Sequence, residues 1–229
     1  MLESRAHITG PWVRSLFDRI STRYDFFNDL LSLGIHRRWK RRAIAELGNV
    51  QGTHVLDAAT GTGDLAFALA ESGAQVTAID FSEGMLRVAR ARRGPENIDF
   101  LLADAQALPF ETTTFDHVVA SFGVRNFEDP ARGIRELWRV LKPGGRLVVL
   151  EFGDWMRLRY FGALTRKFAL LFGADPEAYD HLAVSSNAFP SGKAFVAAFY
   201  SPLGPATCDA PRKLFFGVAH LFCATKRLA

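Results

Sequence analysis

Five short apolar runs of β type alternate with helical stretches through the middle of the chain, and that rhythm points to a parallel α/β sheet. The runs are His54-Val55-Leu56-Asp57, Gln75 to Asp80, Ile98 to Leu102, His117 to Ser121 and Arg146 to Phe152. Between them the spacing predicts helices over Leu65 to Ser72, Glu83 to Arg93 and Pro130 to Leu141, the last ended by the turn Lys142-Pro143-Gly144-Gly145. Right-handed crossovers then place helices on both faces of the sheet. An aromatic-rich helical lead, residues 1 to 48, precedes the core of residues 49 to 152, and a tail from 153 to 229 follows it, all in one domain. Formal charge divides at the same boundaries: +4 on the lead, −4 on the core and +4 on the tail. The net +4 is too small to mark a nucleic-acid binder. Cys208 and Cys223 make no disulfide framework, and the opening residues lack the apolar stretch of a secretory signal. No run approaches the roughly 20 apolar residues of a membrane span. A cytoplasmic chain whose membrane contact, if any, is peripheral is therefore expected.

The first run enters the most informative stretch, Asp57-Ala58-Ala59-Thr60-Gly61-Thr62-Gly63-Asp64. Small residues between a strand and a helix let backbone pass close to a ligand, as in nucleotide-type sites. A dinucleotide fingerprint has glycines spaced Gly-x-Gly-x-x-Gly, whereas here Leu65-Ala66 stand where the last would fall, which disfavours NAD. Asp80 ends the next apolar run, where a carboxylate accepts the hydroxyls of a ribose. No phosphate-binding Lys or Arg accompanies the turn. An adenosyl group without pyrophosphate suits it, and the cofactor suggested is S-adenosylmethionine.

With that cofactor in place, the core resembles a class I methyltransferase. Leu102-Ala103-Asp104-Ala105 is similar to the family's acidic element beside the adenine, Ser121-Phe122-Gly123 to the segment closing under the cofactor, and Pro143-Gly144-Gly145 to the turn before the fifth strand. Further stretches resemble the menaquinone/ubiquinone biosynthesis C-methyltransferases of the UbiE/MenG type: Tyr24-Asp25-Phe26-Phe27-Asn28-Asp29, Gly34-Ile35-His36-Arg37-Arg38-Trp39-Lys40, Ala107-Leu108-Pro109-Phe110, Ser121-Phe122-Gly123-Val124-Arg125-Asn126 and Leu150-Glu151-Phe152. The Phe-Gly-x-Arg-Asn element is the most specific of these. Tyr179-Asp180-His181-Leu182 with Ser186 and Phe189-Pro190 continues the likeness. The tail departs from the pattern: Trp155 to Ala178 matches poorly, Gly204-Pro205 replaces a Gly-Phe, and Phe222 stands where the family shows a histidine.

The resemblance implies a Rossmann-like class I fold, a central, mostly parallel seven-stranded sheet flanked by helices, with a helical lid insertion. It implies methyl transfer from S-adenosylmethionine to a ring carbon of a demethylated prenyl quinol, most simply demethylmenaquinol. The expected cofactor contacts are Asp57, Ala59, Gly61, Thr62, Gly63, Asp80, Phe81, Asp104, Ala105 and Ser121. Such a ring carbon is a poor nucleophile until its neighbouring hydroxyl loses a proton. Arg125 is expected to steady the developing phenolate or order a water, Asn126 to hold the quinol oxygen, and Tyr24 to complete a hydrogen-bond relay. His36, His117 and His181 titrate in a useful range but are read as structural or solvated. No His/Cys/Asp spacing indicates a metal.

Trp155 to Ala174 carries Arg157, Arg159, Arg166 and Lys167 with no acidic residue, and Phe161, Leu164, Phe168, Leu171 and Phe172 recur at helical spacing. This basic amphipathic helix is read as a lid resting on anionic lipid, with His36 to Arg42 and Trp39 adding headgroup contacts. The expected partners are a prenylated quinol and, peripherally, an anionic membrane at its inner face, with a homodimer allowed and nucleic acid excluded. Another lipid or aromatic acceptor, or a cofactor-binding protein without catalysis, are the alternatives; Arg125-Asn126 argues against the last.

Overall fold

A computed structural model of the chain describes residues 10–153, 175–204 and 206–227. The lead is helical throughout its described part: α1 (Gly10–Ile20), α2 (Tyr24–Ser32) and α3 (Ile35–Leu47). Then come β1 (His54–Ala58), α4 (Asp64–Glu71), β2 (Gln75–Asp80), α5 (Glu83–Ala91), β3 (Ile98–Leu102), β4 (Phe115–Ser121), α6 (Pro130–Val140) and β5 (Leu141–Phe152). After the undescribed residues follow α7 (Pro176–Ala188), β6 (Ala206–Cys208), β7 (Arg212–Leu214) and β8 (Ala219–Lys226).

Side-chain chemistry accounts for several boundaries. Ser82 caps α5 by accepting from Met85 N, and Asp129 caps α6 by accepting from Arg132 N, with Pro130 opening the helix where its missing N–H costs nothing. The expected helices end one or two residues early, and two strands differ at their starts. β4 begins at Phe115 rather than His117. β5 begins at Leu141 rather than Arg146, because Leu141 already pairs with Phe115 before the register shifts to Arg146 opposite His117. The Lys-Pro-Gly-Gly turn is therefore an irregularity inside the strand, not a loop ahead of it.

The strand order is β3-β2-β1-β4-β5-β8-β6. The first five strands are parallel and β8 runs antiparallel to β5. Among the described residues the sheet has eight strands in seven positions: β6 pairs with the end of β8 and β7 with its beginning, so the two share one edge, and Asp209 N donates to Cys223 O between them. Parallel strands are covered on both faces, which explains their continuous Val, Leu and Ala runs. Leu56, Val118, Leu147 and Val149 face one core with Ile134 and Leu137 of α6, while Val55, Val119, Val148 and Leu150 face the other with Trp39, Ala43, Leu65 and Leu69 of α3 and α4. Strand order reverses between β1 and β4, so a crevice opens at their carboxyl ends, the usual ligand position in such sheets.

Phe222 lies in the first core, buried and stacked on Phe195 with ring centroids 3.8 Å apart. Its departure from the family pattern is thus a matter of core packing. The amphipathic stretch Trp155 to Ala174 and Pro205 lie outside the described residues.

Candidate active site

The turn after β1 passes through left-handed backbone at Ala59 (φ 56°), Gly61 (φ 59°) and Gly63 (φ 87°). A Cβ on Gly61 would meet no atom within 4 Å, so its open side is free for a ligand. Gly123, after β4, approaches so closely that a Cβ there would fall 2.4 Å from Ala59 Cβ. Asp80 at the end of β2 spans the crevice: Gly61 N donates to its Oδ2 at 2.8 Å and Ser82 N to its Oδ1 at 2.9 Å. Burial pushes Asp80 up to about 6, against the pull of those backbone N–H groups. Asp57 is also buried; it accepts from Thr60 Oγ1 at 2.6 Å through Oδ2, while its Oδ1 has no partner. Burial raises Asp57 to about 7.

A cavity of about 330 Å3 occupies this crevice. Ala59, Gly61, Asp80, Phe81, Asp104, Ala105 and Ser121 line it, and α1 supplies Arg14 and Phe17. Three expected cofactor residues lie off its wall. Asp57 sits beneath the turn, Gly63 packs against Phe67, and Thr62 donates to Asp25 Oδ1 at 2.5 Å, tying α2 to the turn. The residues present fit an adenosyl cofactor: a buried carboxylate at the strand end, an open glycine beside it, and two buried acceptors without partners, Asp57 Oδ1 and Ser121 Oγ.

A second, larger cavity of about 720 Å3 adjoins the first. Phe17, Tyr24, Ala59, Gly61, Ser121 and Phe122 belong to both. The remaining wall of the larger one is mainly apolar, with Leu16, Ile20, Phe27, Ile35, Trp39, Phe152, Leu182 and Val218. Phe122 is held at φ 57°, a costly conformation for an aromatic residue, and its ring lies 4.5 Å from Phe152 and 6.3 Å from Trp39, centroid to centroid. Trp39 is therefore an inner wall, not a headgroup anchor. Of its charged neighbours, Lys40 is engaged inward on Asp64 at 3.3 Å, whereas Arg37 pairs with Asp29 on the surface through two bonds of 2.8 and 2.7 Å and Arg38, Arg41 and Arg42 are exposed. Despite burial, His36, Lys40 and Arg92 hold the Asp64 carboxyl well below the usual range.

Arg125 and Asn126 lie on the loop after β4, at the meeting of the cavities: Arg125 lines the larger one and Asn126 the smaller. The Arg125 guanidinium sits over Phe152 at 4.9 Å, donates to Phe122 O, and bonds Glu151 Oε2 at 3.1 Å. Asn126 Oδ1 is 3.0 Å from His181 Nε2 on α7. Tyr24 lies on both walls, edge-on to Phe17 at 6.2 Å.

The structure thus brings the three expected catalytic residues to the walls where the cavities meet, and pairs two of them with residues the sequence did not single out for it: Glu151 on Arg125, and His181, read there as structural or solvated, on Asn126. Glu151 carried a signal, a carboxylate within the apolar run Leu147 to Phe152 that ends β5. His181 carried little, since a helical histidine is usually solvated. His117 lies away from both cavities, whereas His36 lines the larger one and bonds Ser32 Oγ at 2.7 Å.

The model of the ubiE/COQ5 methyltransferase family matches residues 4–226. A Renibacterium salmoninarum protein named demethylmenaquinone methyltransferase is 43% identical over 185 residues, 78% of this chain and 77% of its own. A Deinococcus radiodurans protein of the same name is 41% identical over 95% of this chain and 94% of its own. The Rubrivivax gelatinosus ubiquinone/menaquinone biosynthesis C-methyltransferase UbiE is 37% identical over 95% and 88%. Among solved structures, S-adenosylmethionine-dependent methyltransferases from Mesorhizobium loti and Aquifex aeolicus superpose with TM-scores of 0.62 and 0.60 at 20% and 21% identity. They cover 80% and 81% of this chain and 95% and 88% of their own. At those identities the structural likeness speaks for the fold alone.

Proposed function

The chain belongs to the ubiE/COQ5 methyltransferase family, and from that premise we propose that it methylates a ring carbon of a prenylated quinol, demethylmenaquinol first and the ubiquinol-pathway equivalent second, using S-adenosylmethionine. One observation carries the reading: two adjoining cavities share a wall at Tyr24, Ser121 and Phe122, the smaller holding the buried Asp80 carboxylate beside the open side of Gly61, the larger offering mainly apolar surface, with Asn126 on the first and Arg125 on the second where they meet. S-adenosylmethionine, when bound, supplies an electrophilic methyl group. Asp80 would hold the ribose hydroxyls, Asp104 and Phe81 would flank the adenine, and Ser121 would serve the amino-acid end, with Asp57 bracing the turn from beneath through Thr60.

Replacing a ring C–H by C–CH3 releases one proton. The acceptor hydroxyl gives up its proton first, which makes the adjacent carbon nucleophilic; once the methyl group has left the sulfonium for that carbon, the C–H proton leaves and the oxygen regains a proton, so that one proton is released overall. Arg125 opposes the negative charge on the acceptor oxygen, Asn126 orients that oxygen, and Tyr24 extends the hydrogen-bond path from it. Phe122, Trp39 and Phe152 offer aromatic faces to the ring and exclude water around it. The apolar remainder of the larger cavity takes the prenyl tail.

The direct test is methyl transfer from labelled S-adenosylmethionine to chemically reduced short-chain demethylmenaquinol and demethylated ubiquinol analogues, with the product located by mass spectrometry. Ring-methylated naphthoquinol is expected. Absence of methylated product from either ring, with cofactor binding intact, overturns the proposal.

The same reading places the protein against the inner face of an anionic membrane. No helix among the described residues is long and apolar enough to cross a membrane. Leu33 and Phe215 line the larger cavity yet stand 83% and 55% exposed, an apolar rim suited to lipid. Cosedimentation with anionic vesicles that weakens with salt is expected, and none at low salt removes the membrane from the proposal. Sedimentation equilibrium decides the homodimer, a monomeric mass removing it.

A further inference from the structure

His181 is 6% exposed, on α7, and among the described residues its one polar contact with the loop after β4 is Nε2 to Asn126 Oδ1 at 3.0 Å. A carbonyl oxygen brings no proton, so Nε2 must carry it. The other ring nitrogen agrees: Nδ1 is buried with no partner among the described residues, and a proton there would be an orphaned N–H, the rarer and costlier defect. The surroundings keep the ring neutral. Trp12 presents its ring edge-on at 5.2 Å, and Arg125 is the charged neighbour. Burial first and Arg125 second push His181 down to about 4.

The tautomer has a consequence one residue further on. The imidazole N–H holds Oδ1 toward α7 and takes one of its two lone pairs, while no hydrogen bond among the described residues uses the Asn126 Nδ2 protons, which are left for the cavity this residue lines. Arg125 beside it is donor-only, and its Nε is buried without a partner. We propose that His181 is a positioning residue that locks Asn126 as a hydrogen-bond donor, so that the junction receives the acceptor oxygen as an oxyanion rather than as a hydroxyl. The inference rests on the quinol reading only for what the oxygen belongs to.

The test uses the full-length protein with S-adenosylhomocysteine and 4-nitro-1-naphthol, whose absorbance reports its ionisation. The bound naphthol is expected to ionise at lower pH than in water, equally in the wild type and in His181→Gln, whose amide N–H still donates. In His181→Phe, which keeps a ring and removes the donor, that shift shrinks. In turnover with a demethylated quinol, His181→Phe is expected to lower kcat about tenfold or more, the size of one hydrogen bond to a charge, with little change in cofactor KM, and His181→Gln to recover most of it. Nitrogen NMR of the wild-type histidines should show Nε2 protonated and Nδ1 bare for His181 at neutral pH. A protonated Nδ1, an unshifted naphthol in the wild type, or the same shift in His181→Phe overturns the proposal. Quinols that are not methylated while the naphthol binds ionised would instead count against the acceptor assigned above.

Discussion

The Arg125 guanidinium lies 3.1 Å from the carboxylate of Glu151, and Glu151 is 1% exposed. Glu151 also accepts from Arg125 N and Phe152 N, each at 3.2 Å. One carboxylate at the end of β5 thereby fixes both the backbone entry and the guanidinium of a residue that lines the larger cavity. A buried pair of this kind is weak evidence for stability, since desolvation offsets attraction, but it is expensive to break on one side.

Glu151→Ala should therefore cost about 3–5 kcal/mol of stability, because it leaves Arg125 buried and uncompensated. Urea unfolding checks the cost. Glu151→Gln, which keeps the shape and an acceptor, should unfold closer to the wild type while losing turnover.

Arg125→Lys keeps a charge against Glu151 but loses the planar fork and the stack on Phe152. The expected outcome is unchanged affinity for S-adenosylhomocysteine by calorimetry and a loss in kcat of about 10²–10³, the range for removing one oxyanion-stabilising donor. Undiminished turnover would remove Arg125 from the mechanism.

Asp80 gives the pH dependence of cofactor binding. Its folded pKa, raised to about 6, lies above that of a free carboxylate, so the native protein takes up this proton before the unfolded chain does. The neutral acid accepts hydroxyls less well than the carboxylate. Cofactor affinity is expected to fall as pH drops through about 6, and calorimetry at pH 7.5 and 5.5 measures it. Asp80→Asn should bind weakly at both values and flatten the dependence.

Gly123→Ala would set a methyl group 2.4 Å from Ala59 Cβ, and both positions are backbone turns with little room to yield. About 1–3 kcal/mol of destabilisation is expected, together with weakened cofactor binding, because the displaced residue belongs to the cofactor wall. Thermal melts with and without S-adenosylhomocysteine separate the two effects.

Phe222→His restores the residue of the family pattern. The phenyl ring it replaces stacks on Phe195 in the core and lines neither cavity. The variant should melt lower, since burying an imidazole among aromatic rings costs more than it returns, while the KM for both substrates stays near the wild-type value. A changed acceptor KM would show that this strand shapes the substrate site after all.

Local chemistry was legible in the chain itself. Periodicity placed β1 to β5 and α4 to α6 within a few residues, the small-residue turn and Asp80 marked one cavity, and Phe122 to Asn126 marked the junction. The parts that stayed hidden are contacts between elements distant in sequence. Arg125 and Glu151 are 26 positions apart, Asn126 and His181 are 55, and nothing in either residue's own neighbourhood names its partner. Likewise the charged run from His36 to Lys40 reads as a solvated face, which holds for Arg37 and Arg38, yet His36 and Lys40 turn inward toward Asp64 once α4 packs alongside. Sequence alone determined the alternation of strands and helices, the cofactor turn and the Arg-Asn element, because backbone sterics and apolar spacing act over a few residues. Only the tertiary structure decided which buried donors and acceptors meet, because burial turns an ordinary glutamate and an ordinary histidine into obligatory partners, and burial exists only after the chain has folded.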